Sequence, residues 1–205
     1  MDELQENNRV LLCGTPLGEP VFSHESRMER FYSFPLEVAR LSGTVDRLNI
    51  ILRESLLPGI RPSRAGLLEV RGELRSFNNR SGQGRRLVIT VFARQLSPAA
   101  EPFWENSVEL TGTLCKAPNL RVTPLGREIC DLLLAVNRPY GRSDYLPCIA
   151  WGAAARTAAE WDVGQRVRLL GRLQSREYIK NLNGQAIRRT AYEVSASYLT
   201  AVEAE

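Results

Sequence analysis

Lysine is nearly missing from this chain of 205 residues. Only Lys116 and Lys180 occur, against 25 arginines. Arginine makes two-pronged contacts with phosphate and stacks on flat rings, which lysine does less well; a GC-rich genome would produce the same bias. Histidine is scarcer still. His24 is the only one, so a Ser/His/Asp mechanism or a histidine-based metal site would rest on it alone. Its setting, Phe22-Ser23-His24-Glu25-Ser26, reads as a polar loop. Cys13, Cys115, Cys130 and Cys148 contain no CxxC pair, which argues against zinc and for thiols kept reduced in a cytosol. No apolar run approaches the ~18 residues of a membrane helix. The polar, acidic start, Met1 to Asn8, does not resemble a secretory leader. The net charge of +4 is too small to identify a partner by itself.

Catalytic patterns are missing too. Gly82-Gln83-Gly84 lacks the Lys-Ser/Thr ending and the strand-to-helix setting of a phosphate loop. Glu128 and Asp131 fall on opposite faces of a strand, so they do not converge on a metal as a nuclease requires. No catalytic residue, metal site or cofactor is expected.

What is present is a repeat. Val10-Leu11-Leu12-Cys13-Gly14-Thr15 matches Val108-Glu109-Leu110-Thr111-Gly112-Thr113 at an offset of 98, and LEVRGELRS (68–76) matches VRLLGRLQS (167–175) at 99. Two matches in the same order at one spacing indicate a duplicated domain. The boundaries read as 1–97 for the first copy, 98–104 for a stiff Pro-containing linker, and 105–205 for the second. Phe103-Trp104 reads as an apolar plug at the junction.

Within each copy, short Val/Ile/Leu/Tyr runs alternate with turn clusters, the pattern of an all-β domain. Pro124-Leu125-Gly126 reads as a turn. Asn78 to Gly84 and Asn181 to Gly184 read as hairpin tips. The alanine-rich stretch Ala153 to Trp161 predicts a helix after the third strand. Its counterpart, Glu54-Ser55-Leu56-Leu57, is cut short by Pro58-Gly59. A five-stranded barrel with a helix between strands three and four is the oligonucleotide-binding arrangement, so the expected fold is two tandem OB barrels.

The candidate chemistry sits in the second copy. From Val167 to Tyr178, alternation turns Val167, Leu169, Gly171 and Leu173 inward. It turns Arg168, Leu170, Arg172, Gln174, Arg176 and Tyr178 outward. On the strand before the helix, Tyr145 and Trp151 share a face opposite Leu146, Cys148 and Ala150. Arginines that meet phosphates beside rings that stack on bases are the means of holding a flexible single strand.

Four blocks of this copy resemble the bacterial single-stranded DNA-binding protein family, in order and spacing. They are Pro118-Asn119-Leu120-Arg121-Val122-Thr123-Pro124-Leu125-Gly126, Leu134-Ala135-Val136-Asn137-Arg138, Cys148-Ile149-Ala150-Trp151-Gly152 and Gly171-Arg172-Leu173-Gln174-Ser175-Arg176-Glu177-Tyr178. The resemblance spans nearly all of Asn106 to Glu203. It implies sequence-tolerant binding of single-stranded DNA in replication, recombination or repair, in the cytoplasm at the nucleoid, with no enzymatic activity. It maps the base-stacking rings onto Tyr140, Tyr145, Trp151 and Tyr178. Beside them, Arg168, Arg172 and Arg176 of the outward face, together with Arg138, are the candidate phosphate contacts. Family members assemble four barrels, which a homodimer of this chain would supply; a monomer stays open. Relatives also end in an acidic tip that recruits partners. The closing residues Ala201-Val202-Glu203-Ala204-Glu205 do not match it, so recruitment by that route is not expected.

The first copy departs from this pattern. Glu69 and Glu73 replace Arg168 and Arg172, and Phe77 replaces Arg176. Carboxylates on a DNA face oppose phosphate, so weaker binding and a role in assembly are expected there. Arg75, Phe77, Arg80, Arg85 and Arg86 offer a secondary contact. An OB adaptor with secondary DNA contact is the alternative function, supported by those two glutamates.

Overall fold

Period-two patterning becomes strand almost throughout the computed structural model, which describes residues 6–60, 66–79, 87–99, 105–139, 141–182 and 185–203. The first half holds β1 (Asn8–Pro16), β2 (Val21–Ser26), β3 (Glu29–Ala39), β4 (Val45–Arg53), β5 (Leu68–Asn78) and β6 (Leu87–Pro98). The second holds β7 (Asn106–Leu114), β8 (Asn119–Val122), β9 (Glu128–Asn137), β10 (Ser143–Trp151), β11 (Arg166–Leu182) and β12 (Gln185–Val202). Each half closes into a five-stranded barrel, β1-β3-β4-β6-β5 and β7-β9-β10-β12-β11. The closing pairs β4–β6 and β10–β12 are parallel. The sixth strand of each half, β2 or β8, is a hairpin arm that pairs only with β3 or β9.

The helical expectations hold. Helix α1 (Gly152–Ala159) follows β10 and buries Ala155 and Ala158 against the barrel. In the first half Pro58 limits the equivalent segment to a 3-10 turn, Glu54–Gly59. The turn at Pro124-Leu125-Gly126 is present, with Gly126 at φ 74° and its N–H donating to the Thr123 carbonyl. Of the expected linker, residues 100–104 lie outside the described residues, and so do Arg80, Arg85, Arg86 and Tyr140.

The two barrels share one sheet. β1 pairs antiparallel with β7, and Val10 lies opposite Val108, its own counterpart at the repeat offset. A pseudo-twofold axis therefore passes through that pair. The buried side chains Leu12, Leu48, Ile50, Leu110, Leu134 and Leu169 belong to one apolar cluster spanning both halves. Two asparagines repeat the symmetry. The Asn8 amide donates to the Leu74 carbonyl and accepts from its N–H (2.9 and 2.8 Å), and Asn106 does the same with Leu173 (2.7 and 2.9 Å).

The matched glycines of LEVRGELRS and VRLLGRLQS have a steric task. Each lies where the ladder to the next strand shifts register, at Arg71/Gly72 and at Leu170/Gly171. A Cβ on Gly171 would lie 2.3 Å from the Ser195 carbonyl oxygen, and one on Gly72 would lie 2.2 Å from that of Phe92. Backbone cannot give way there without breaking the ladder. Gly171→Ala is expected to lower stability by about 1–3 kcal/mol, read from the denaturant midpoint; an unchanged midpoint would show that the strands part freely at the bulge.

Candidate nucleic-acid interface

A groove of about 860 Å³ runs along the second barrel between β10, β11, β12 and the β8–β9 hairpin. Alternation on β10 turns Ile149 and Trp151 toward it. The Trp151 ring is 37% exposed, and its Nε1–H donates to Ser195 Oγ at 3.0 Å. That bond fixes the ring edge and leaves a face for stacking. Arg172 and Arg176 project into the same groove from β11. Tyr178 follows on the β11–β12 hairpin, with the Arg176 guanidinium 5.8 Å from its ring centre, within cation–π range. Tyr145 is 48% exposed on the Trp151 side of β10, at the end nearest the first barrel. Trp151, Arg172 and Arg176 thus share the groove; Tyr178 adjoins it through Arg176, and Tyr145 lies outside its lining. The sequence reading missed three more arginines in the groove: Arg40, Arg121 and Arg127.

Arg168 is not part of this groove. β11 pairs with β7 only over Arg166–Gly171, and in that segment the outward face belongs to the central sheet. There the Arg168 guanidinium pairs with Glu109, at 2.5 Å from Nη2. Arg138 is also committed elsewhere. Its Nε donates to Asp144 at 2.5 Å, and its Nη2 reaches Asp144 and, at 3.3 Å, the Ser76 carbonyl of the first barrel. Arg138 therefore serves a clamp between the barrels.

The clamp occurs twice, related by the pseudo-twofold axis. In the second barrel, Asp144 is fully buried and accepts from Arg138, from Arg75 (3.1 Å) and from the Ser76 N–H (2.5 Å). In the first barrel, fully buried Asp46 accepts from Arg40 (2.6 and 2.5 Å) and from the N–H and hydroxyl of Ser175 (2.7 and 2.8 Å). Arg40 also donates to the Ser175 carbonyl at 2.8 Å. Burial pushes the Asp46 carboxyl up, but the bonds from Arg40 and Ser175 outweigh it and hold it below its ordinary value. Burial pushes the Arg75 guanidinium down, against the pull of Glu73 and Asp144.

The first barrel has a groove at the matching place, lined by Phe31, Phe77, Phe92, Arg53, Arg94 and Arg142 among others. Phe92 is the hub. Its ring lies 6.0 Å from that of Phe31, and the guanidiniums of Arg94 and Arg53 lie 4.8 and 5.7 Å from its centre. Phe77 is 49% exposed. His24 is on strand β2, not in a loop, and stacks on Phe31 with ring centres 4.8 Å apart. The two glutamates do not oppose phosphate as expected. Glu73 is fully buried and neutralised by Arg75 and by Arg94 (3.2 Å); Glu69 pairs with Arg71 at 2.8 Å. Arg75 is thus largely withdrawn from solvent. The adaptor alternative loses the observation that supported it.

Residues 105–202 match the single-strand binding protein family. Single-stranded DNA-binding protein B of Bacillus subtilis is 38% identical over 80 residues, covering 36% of this chain and 71% of that protein. Single-stranded DNA-binding protein A of the same organism is 36% identical over 89 residues, 40% of this chain and 51% of that protein. For the single-stranded DNA-binding protein of Halalkalibacterium halodurans the figures are 35% over 83 residues, 37% and 49%; the chain spans about half the length of such relatives. Among solved structures, the wild-type single-stranded DNA binding protein from Thermus aquaticus superposes with a TM-score of 0.75 at 23% identity, over 97% of this chain and 94% of that one. That likeness covers both barrels and is one of fold.

Proposed function

The chain belongs to the single-strand binding protein family, and from that premise we propose that it binds single-stranded DNA without reading sequence and shields it during replication, recombination or repair. The observation that carries this reading is the half-exposed Trp151 ring, pinned by Ser195 beside Arg172 and Arg176 in an open groove. Arginines neutralise phosphates, rings stack on bases of any identity, and the bound strand is kept from re-pairing. This is equilibrium binding in the cytoplasm at the nucleoid, with no bond made or broken.

Tyr145, Trp151, Tyr178, Arg172 and Arg176 are the principal contacts. Phe77, with Phe31, Phe92, Arg53 and Arg94, forms a second contact on the first barrel, supported by the aromatic-arginine groove found there. A homodimer would present four barrels. The outer face of the central sheet offers it an apolar pair, Leu170 opposite Tyr198, both exposed.

The test is a titration of tryptophan fluorescence with a deoxythymidine oligomer at two salt concentrations. Quenching that weakens with salt is expected, and no binding at low salt would overturn the reading. Each phosphate contact contributes about 0.7 to the slope of log affinity against log salt on a single strand. Arg172→Ala and Arg176→Ala are each expected to reduce the slope by about that amount; unchanged slopes would place the strand elsewhere.

A further inference from the structure

One acid stands among the arginines of the second-barrel groove. Glu193 lies on β12 opposite Gln174 and contributes to the groove lining with only 8% of its surface exposed. Its Oε1 accepts from the buried Gln174 amide at 3.1 Å. Its Oε2 is 3.7 Å from Arg176 Nε, beyond hydrogen-bond distance. The carboxylate is therefore held by the Gln174 amide and ion-paired with Arg176, and its Oε2 keeps an acceptor toward the groove that Ser195 and Trp151 also line. A groove that had only to hold phosphates and stack rings would be served better without this charge.

We propose that, within binding that tolerates every sequence, Glu193 gives this one groove a preference for cytosine over thymine. The inference rests on the reading that this groove binds single-stranded DNA. A carboxylate only accepts hydrogen bonds. Cytosine offers it the N4 amino group, whereas thymine presents the O4 acceptor at the same ring position. A base stacked on Trp151 with its edge turned to the floor thus gains a charge-assisted bond if it is cytosine and meets repulsion if it is thymine. The first barrel lacks the device. There Thr90, opposite Arg75, takes the place of Glu193 opposite Gln174, so the bias belongs to one barrel.

The test compares binding of deoxycytidine and deoxythymidine oligomers of equal length to the wild-type chain, Glu193→Gln and Glu193→Thr. The second variant installs the residue that the first barrel already accommodates at this place. The cytosine-to-thymine affinity ratio is expected to fall by about fivefold or more in both variants. An unchanged ratio overturns the proposal in either of two forms. If both oligomers bind tighter, Glu193 merely repels phosphate; if both bind weaker, it merely positions Arg176. A wild-type chain that binds neither oligomer overturns the parent reading and this one with it.

Discussion

Trp151→Ala is expected to weaken binding of a deoxythymidine oligomer by about 1–3 kcal/mol, roughly 5- to 150-fold, and to remove most of the fluorescence quenching. The size follows from geometry. Trp151 is 37% exposed, and its N–H is held by Ser195 Oγ, so little ordering is left to complete when a base arrives. The substitution leaves the fold nearly untouched, because the ring is not part of the apolar cluster. Thermal stability within a degree or two of wild type, with affinity sharply reduced, is the expected pair of results. Trp151→Phe should retain part of the affinity, since a smaller ring still stacks. Wild-type affinity in Trp151→Ala would remove the central contact from the proposed interface. The matching place in the first barrel holds Arg53, so no substitution there is expected to reproduce this loss.

The largest effect on stability is expected from Asp144→Ala. Two guanidiniums, Arg138 and Arg75, and the Ser76 N–H converge on this fully buried carboxylate. Removing it strands Arg138 and an amide at the junction and leaves Arg75 to Glu73 alone. Truncating one member of a buried ion pair costs about 3–5 kcal/mol, which is a large share of the stability of a small protein. Asp46→Ala should cost less, because a single arginine faces Asp46 and the Ser175 hydroxyl can turn to other partners. Urea unfolding of the two variants and the wild type checks the order; equal midpoints would show that water enters the junction and solvates the ions. The same clamp sets an acid limit. The folded Asp46 carboxyl lies below its ordinary 3.8, so its contribution is complete above that value. It is lost as pH falls through the lower folded value. Asp46→Asn should therefore flatten the fall in stability below about pH 4.

The duplication and the barrels were legible because they depend on local pattern. The offsets of 98 and 99 marked the repeat, alanines marked α1, and Pro58 marked the shortened turn. The Trp151 face was legible for the same reason, since β10 keeps a clean period of two. Arg138, Arg168, Glu73 and Gln174 were misplaced because alternation assigns a side and not a partner. Arg138 meets an acid six residues on, across a hairpin. Arg168 lies on the part of a long, bent strand that faces a different surface. Gln174 is buried although its phase is outward, because Glu193 lies across from it. One signal was present and unused. Asp46 and Asp144 each share the inward phase of Leu48 and Ile50, or of Leu146 and Cys148. An acid in an apolar phase requires a buried partner. The first-barrel groove had no such marker, since Phe31 and Phe92 come from distant strands that only barrel closure brings together.

Joining the halves through Val10 and Val108 has a consequence for what the molecule can become. When two separate identical chains meet across a twofold axis, every substitution is made on both sides at once. A change that helps one side while harming the other cannot be kept. A covalent bridge removes that constraint. Here it has left tryptophan facing arginine's place, glutamate facing threonine's, and a full helix facing a single turn, on a frame whose clamps and asparagines still match. The tether lets two halves of one ancestral plan take up different work without ever having to find each other in solution.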